Sequence, residues 1–285
     1  MKALFILIQH LLPQHLVSRL AGRLAECRAA WFRRRFIHWF IARYRVDMSQ
    51  ALQEDPDQYE HFNAFFTRAL KPGLRPLPED PLAVVSPADG AISAIGRITG
   101  DTVFQAKGKS FSLAALLGGD DALAASFRDG HFATVYLSPR DYHRVHMPLG
   151  GRLEEMRYVP GKLFSVNQVT AENIDALFAR NERAVCFFNT DRGPLVVILV
   201  GAMIVAGIET VFAGQVCPTP DGQPGRSDYR QQSPAIQLER GDELGRFKLG
   251  STAIVLAGPG MLEWLPELDC GTPLRMGQAI GRLKG

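Results

Sequence analysis

An α+β fold is what this sequence predicts, with a mainly antiparallel β body behind an N-terminal amphipathic helical segment. Three observations carry it. The first 50 residues concentrate arginine and large aromatic side chains at helical spacing. From Lys71 onward the chain breaks into short apolar runs bounded by Gly, Pro and Asp, as strands joined by turns do. No internal repeat of about 20–50 residues points to a solenoid or propeller instead.

The N-terminal stretch from Ala3 to Leu20 is apolar and ends on arginine. Its longest uninterrupted run, Ala3 to Ile8, stops at Gln9 and His10, and Arg19 and Arg23 stand where an export signal would be cleaved. Leu24-Ala25-Glu26-Cys27 only faintly resembles a lipoprotein site, and the glutamate before the cysteine argues against it. No segment reaches the roughly 20 apolar residues a bilayer span requires. Read as a helix, residues 31–43 place Phe32, Phe36, Trp39 and Phe40 on one arc and Arg34, Arg35 and His38 opposite, with Arg33, Ile37 and Ile41 between. Residues 1–50 hold nine Lys and Arg against two acids, whereas the remainder holds 23 basic and 27 acidic residues. A basic, aromatic head on a mildly acidic body predicts an element lying on an anionic membrane surface. No zinc knuckle, aromatic RNA motif or helix-turn-helix pattern points to nucleic acid.

Pro72, Pro76, Pro78, Pro81 and Pro87 make residues 71–87 a poor helix and a plausible linker between a helical segment, 1–70, and a catalytic domain, 71–285. Strands are expected at 90–98, 132–137, 151–158, 184–189, 195–200, 202–212, 244–248, 252–257 and 278–283, with short helices at 112–117 and 169–178. Cys27, Cys186, Cys217 and Cys270 form no CxxC pair, which excludes a metal knuckle or disulfide framework and suggests a reducing compartment. Lys107-Gly108-Lys109-Ser110 ends like a phosphate-binding loop, but Val103 stands where its first glycine should be.

Three distant segments supply chemistry. Asp89 lies in Ser86-Pro87-Ala88-Asp89-Gly90, His143 and His146 in Asp141-Tyr142-His143-Arg144-Val145-His146, and Ser251 in Leu249-Gly250-Ser251-Thr252. They provide the acid, base and nucleophile of a serine triad in the order Asp, His, Ser. A serine hydroxyl is a poor nucleophile until a base takes its proton. His146 is the candidate base, and Asp89 the group that orients and charges it. The nearest carbonyl is that of Gly250, so the attack is intramolecular and its entropic cost is largely met. An ester then joins Gly250 to the serine oxygen. Water would cleave it to a normal N-terminal serine. Loss of the Cα proton would instead expel the ester, leave dehydroalanine, and after tautomerisation and hydrolysis yield a pyruvoyl group and ammonia. The products are chains 1–250 and 251–285, the shorter carrying the carbonyl. Such a carbonyl forms a Schiff base with an amine and serves as an electron sink for decarboxylation. His143, three residues from His146 and on its face if that stretch is one helical turn, is a candidate proton donor after CO2 leaves.

The segments resemble those of bacterial phosphatidylserine decarboxylases. They include His61-Phe62-Asn63-Ala64-Phe65-Phe66-Thr67-Arg68 with Leu70-Lys71-Pro72-Gly73, then Pro87-Ala88-Asp89-Gly90, the stretch from Tyr136 to His146, and Leu249-Gly250-Ser251-Thr252, in the family's order. The resemblance implies self-processing by Asp89, His146 and Ser251, a pyruvate cofactor made from Ser251, and a role for His143 in decarboxylation. It implies phosphatidylserine as substrate, peripheral attachment to the cytoplasmic face of the bacterial inner membrane, and a homo-oligomer of the cleaved pair. Rival readings are a pyruvoyl enzyme for a soluble amino acid, a β-rich binding module, and a serine hydrolase, the last lacking a Gly-x-Ser-x-Gly elbow.

Overall fold

The computed structural model describes residues 2–203, 207–217, 223–248 and 251–284. A nine-stranded sheet organises the body. In spatial order it runs Gly225–Asp228, Gly151–Val159, Arg183–Thr190, Gly193–Val200, Ser251–Ala257, His131–Leu137, Gly90–Arg97 and Pro273–Leu274, with Gln237–Leu238 also paired to Gly151–Val159. Every pairing in it is antiparallel.

Ser251–Ala257 lies in the middle and is buried along its length. Ala253, Val255 and Ala257 enter one core, while Ile254 and Leu256 enter another. A strand with no wet face needs no polar alternation, so it reads as a continuous apolar run. The first core fills the space against two smaller sheets. One is ordered Gly214–Cys217, Gly207–Thr210, Glu243–Lys248, Arg144–His146; the other Ala83–Val85, Ala279–Leu283, Leu262–Trp264. The second core is closed by the hairpin Thr102–Ala106 with Lys109–Ser112 and by short helices, among them Leu113–Leu116. Ser112 caps that helix through its hydroxyl, which accepts from Ala115 N–H.

Four expectations are corrected. The helix expected at 169–178 is two pieces, Gln168–Asn173 and Leu177–Arg180. Buried Gln105 breaks it: its amide donates to the carbonyls of Ala171 (2.7 Å) and Ile174 (2.9 Å), and its oxygen accepts from Leu177 N–H (2.8 Å). The strand expected at 202–212 is limited to Gly207–Thr210, with 204–206 outside the described residues. The proline-rich stretch 71–87 contributes Ala83–Val85 to a sheet. His143 and His146 do not share a helical turn, because Arg144–His146 is drawn into a strand against Glu243–Lys248.

Three N-terminal helices follow one another: α1 (Lys2–Leu11), α2 (Gln14–Ala25) and α3 (Ala30–Tyr44). The first two dock with their polar side inward. Gln9, Gln14 and Ser18 are buried, while Leu4, Leu7, Leu11, Leu16, Leu20 and Leu24 are exposed. Gln14 Oε1 accepts from Leu163 N–H at 2.7 Å, and Gln9 Oε1 from Ser165 N–H at 2.9 Å. Helix α3 partly reverses the expected arc. Ile37 and Phe40 are its buried residues, in a third core with Phe62, Phe65 and Phe66, and Phe36 packs on Phe62 at 4.5 Å. Trp31 and Trp39 remain exposed.

Candidate active site

Asp89 ends the turn that leads into Gly90–Arg97. Position 90 must be glycine, since a Cβ there would collide with the Tyr136 carbonyl oxygen. The Asp89 carboxylate is gripped from two sides. Arg75 Nε donates to Oδ1 at 2.8 Å and Arg75 Nη2 to Oδ2, and Met276 N–H also donates to Oδ1 at 2.8 Å. Arg75 Nη2 reaches Gln50 Oε1 as well, at 2.9 Å. Both side chains of the ion pair are almost fully buried.

His146 closes the strand Arg144–His146, and its N–H donates to the Pro87 carbonyl at 2.7 Å. Its Nδ1 lies 2.8 Å from the Gly241 carbonyl and its Nε2 3.0 Å from the Tyr142 hydroxyl. A carbonyl only accepts, so this network assigns the proton to Nδ1 and leaves Nε2 accepting from Tyr142. Burial pushes the Tyr142 phenol up to about 12, which keeps it a donor. Burial lowers the His146 pKa, while the Gly241 carbonyl and the charges of Glu243 and Asp89 act the other way.

His143 is completely buried and stacks on Phe66 at 4.0 Å. Its Nε2 lies 3.1 Å from the Ser138 carbonyl and therefore donates, and Nδ1 has no partner among the described residues. Desolvation, then the nearby Arg68 charge, pushes its pKa down to about 3, so the ring is neutral with a bare lone pair. Ser251 is also fully buried, and its Oγ has no partner among the described residues.

Two ladders place His143 near the strand that Ser251 heads. The His143 carbonyl accepts from Phe247 N–H at 3.0 Å, near the end of Glu243–Lys248. Ser251 stands opposite Leu137, and the next residue, Ser138, is the one that receives His143 Nε2. Lys248 ends a strand of the four-stranded sheet, and Ser251 begins one of the nine-stranded sheet. Gly250 itself lies outside the described residues. Asp89 and His146 are neighbours through Pro87, yet their side chains share no hydrogen bond among the described residues; Arg75 takes the carboxylate that the expected Asp–His pairing needed. Residue-type reasoning passed over Arg75, Tyr142 and Arg68. Tyr142 and Arg68 stood inside quoted motifs, but nothing in spacing shows which side chain faces which. Among the described residues no cluster of three or more His, Cys, Asp or Glu could hold a metal ion.

The site is thus a buried, unpartnered serine heading the central strand of a β-rich body, with a buried neutral histidine whose Nε2 donates to Ser138, next to Ser251's strand partner Leu137. The chain belongs to the phosphatidylserine decarboxylase family, whose model matches residues 62–282, and a further family model described as PSD matches 4–45. It is 63% identical over 284 residues to the phosphatidylserine decarboxylase proenzyme of Pseudomonas fluorescens (strain SBW25), covering 99% of each chain. It is 63% identical over 278 residues to the proenzyme of that name from Pseudomonas putida (strain GB-1), covering 97% of this chain and 96% of the relative. The one from Pseudomonas entomophila (strain L48) is 62% identical over 278 residues, with the same coverage.

Proposed function

We propose that this protein is a phosphatidylserine decarboxylase that cuts itself between Gly250 and Ser251 and converts Ser251 into its pyruvoyl cofactor. The observation that carries the reading is Ser251: a fully buried hydroxyl without a partner among the described residues, at the first position of the central strand Ser251–Ala257. An idle buried hydroxyl costs about 1–3 kcal/mol; the Thr134 and Thr252 hydroxyls are also unpartnered among the described residues, and it is the family signature around Ser251 that marks this one for use.

The residues fit the group. Ser251 supplies the oxygen that attacks the Gly250 carbonyl. His146, its pKa lowered by burial, accepts the proton at Nε2 once Tyr142 gives up the hydrogen bond it makes there, while its Nδ1–H is pinned by the Gly241 carbonyl. Asp89 favours the resulting imidazolium by its charge across space rather than through a hydrogen bond. Arg75 and Met276 hold that carboxylate in place. The pyruvoyl group supplies an electrophilic carbonyl that takes the lipid's amine and accepts the electron pair released with CO2. His143, dry and neutral, would relay a proton to the carbon that lost CO2, its bare Nδ1 first taking one from the substrate side or a water and then passing it on, so that the ring ends neutral. Burial of the strand around Ser251 excludes water from this chemistry.

The inverted helices α1 and α2 turn rows of leucine outward, and no helix among the described residues is long and apolar enough to cross a membrane. With the N-terminal arginines, these rows support peripheral attachment to an anionic surface, the cytoplasmic face of a bacterial inner membrane, where the substrate resides. The assay is denaturing electrophoresis with intact mass and CO2 release from phosphatidylserine. Active protein resolves into chains of 250 and 35 residues, the shorter with a blocked terminus lacking the serine nitrogen. An active, unbroken 31.4 kDa chain would rule the proposal out.

A further inference from the structure

Two arginines are deeply buried in this protein, and they differ in how their donors are used. Arg183, 1% exposed, gives Nε to the Leu116 carbonyl (2.7 Å), Nη1 to Ala179 and Asn181 (2.8 and 2.7 Å) and Nη2 to Ala115 (2.6 Å). Every nitrogen of its guanidinium is satisfied. Arg68 is 4% exposed, and only Nη2 is engaged, by the carbonyls of Arg140 (3.2 Å) and Asp141 (3.5 Å). Nε and Nη1 have no partner, and the side chain has no ion pair, among the described residues. The cation lies over the Phe65 ring at 5.4 Å. The charges of Asp89, Asp141 and Asp47 act favourably on it across space, but two buried N–H groups without an acceptor remain costly until one is supplied.

Its position says what that would be. The Arg68 charge helps lower the pKa of His143, and His143 stacks on Phe66, two residues before Arg68. The two carbonyls that hold Arg68 belong to residues lining a cavity of about 550 Å³, which Asp89 and Tyr142 also line. Arg68 does not itself line this cavity; it lies behind the wall, tied to it through Nη2 by those two carbonyls. Phosphatidylserine offers two anionic groups, a carboxylate and a phosphodiester. A fixed cation on the carboxylate would stabilise the reactant more than the transition state, because that charge departs as CO2. On the phosphodiester the charge persists throughout the reaction, and the same cation binds substrate, transition state and product alike.

Resting on the decarboxylase reading, we propose that Arg68 receives the phosphodiester of the lipid headgroup through Nε and Nη1. The test uses the full-length protein with dihexanoyl phosphatidylserine as substrate and dihexanoyl phosphatidylethanolamine as product inhibitor. Arg68→Gln that is still cut, as denaturing electrophoresis reports, is expected to raise KM about tenfold or more, the worth of a charge-assisted hydrogen bond. The product inhibition constant rises by the same factor, kcat measured at pH 8, where burial alone keeps His143 neutral, stays within about twofold, and Arg68→Lys recovers part of the loss. A raised KM with unchanged product inhibition would assign Arg68 to the carboxylate and overturn the proposal, as would a fall in kcat alone or no change. Should Arg68→Gln accumulate uncut, the wild-type enzyme decides: phosphatidylethanolamine must inhibit more strongly than its neutral phosphate methyl ester, and equal inhibition overturns the proposal. Failure of the underlying reading looks different, since wild-type protein would then release no CO2 from phosphatidylserine.

Discussion

Acid should destabilise this protein through His143, and the size of the effect follows from its burial. The perturbation is a drop from pH 7 to pH 5, applied to a Ser251→Ala chain so that one uncut polypeptide is measured. In the unfolded chain His143 titrates near its ordinary value of 6.5, whereas in the folded protein it resists protonation until about pH 3. Below pH 6.5 the unfolded state therefore binds a proton that the native state refuses. Stability is fully present above that value and falls as pH drops, by about 1.4 kcal/mol per pH unit at full slope. At pH 5 the loss is about 2 kcal/mol, a large fraction of a typical domain's 5–15 kcal/mol. Urea unfolding at the two pH values measures it. The comparison protein is His143→Gln in the same background, whose amide keeps a donor for the Ser138 carbonyl but cannot titrate. Subtracting one pH dependence from the other removes His146, Asp141 and Glu182, whose pKa values are also shifted by burial. If both proteins lose stability equally between pH 7 and 5, His143 is not buried neutral and the argument fails.

The other expectations are simpler. Ser251→Ala stays a single band on denaturing gels and releases no CO2, because no oxygen remains to attack Gly250. Arg75→Gln leaves Asp89 with a single main-chain donor from Met276 in a nearly dry setting; a cost of about 3–5 kcal/mol is expected in urea unfolding, and a cost below about 1 kcal/mol would show the pair to be solvated. Gln105→Leu strips partners from the Ala171 and Ile174 carbonyls and Leu177 N–H, so a loss of about 3 kcal/mol or more is expected, read as a lowered unfolding midpoint. Leu7→Asp with Leu11→Asp, both exposed, should abolish flotation with anionic vesicles while leaving self-cleavage intact; undiminished flotation contradicts an interfacial role for α1.

Some of this protein was legible in its residues alone. Short apolar runs between Gly, Pro and Asp announced an antiparallel body, because turn chemistry and strand patterning are local properties. Family motifs singled out Asp89, His143, His146 and Ser251 for the same reason: each sits in its own short signature. Pairing was not legible. That Asp89 answers to Arg75 instead of His146, and that Arg68 keeps two donors idle where Arg183 keeps none, depends on which distant elements meet. Nor could periodicity show that α1 and α2 bury their glutamines and expose their leucines, since an amphipathic pattern has two faces and does not say which one meets the protein. Gln105 makes the point for the backbone. A helical stretch was cut in two by a side chain more than 60 residues earlier in the chain, whose amide offered the peptide groups better partners than the next turn did. Local sequence determines what each segment can form; long-range packing and the need to satisfy every buried polar group decide which of those possibilities is used.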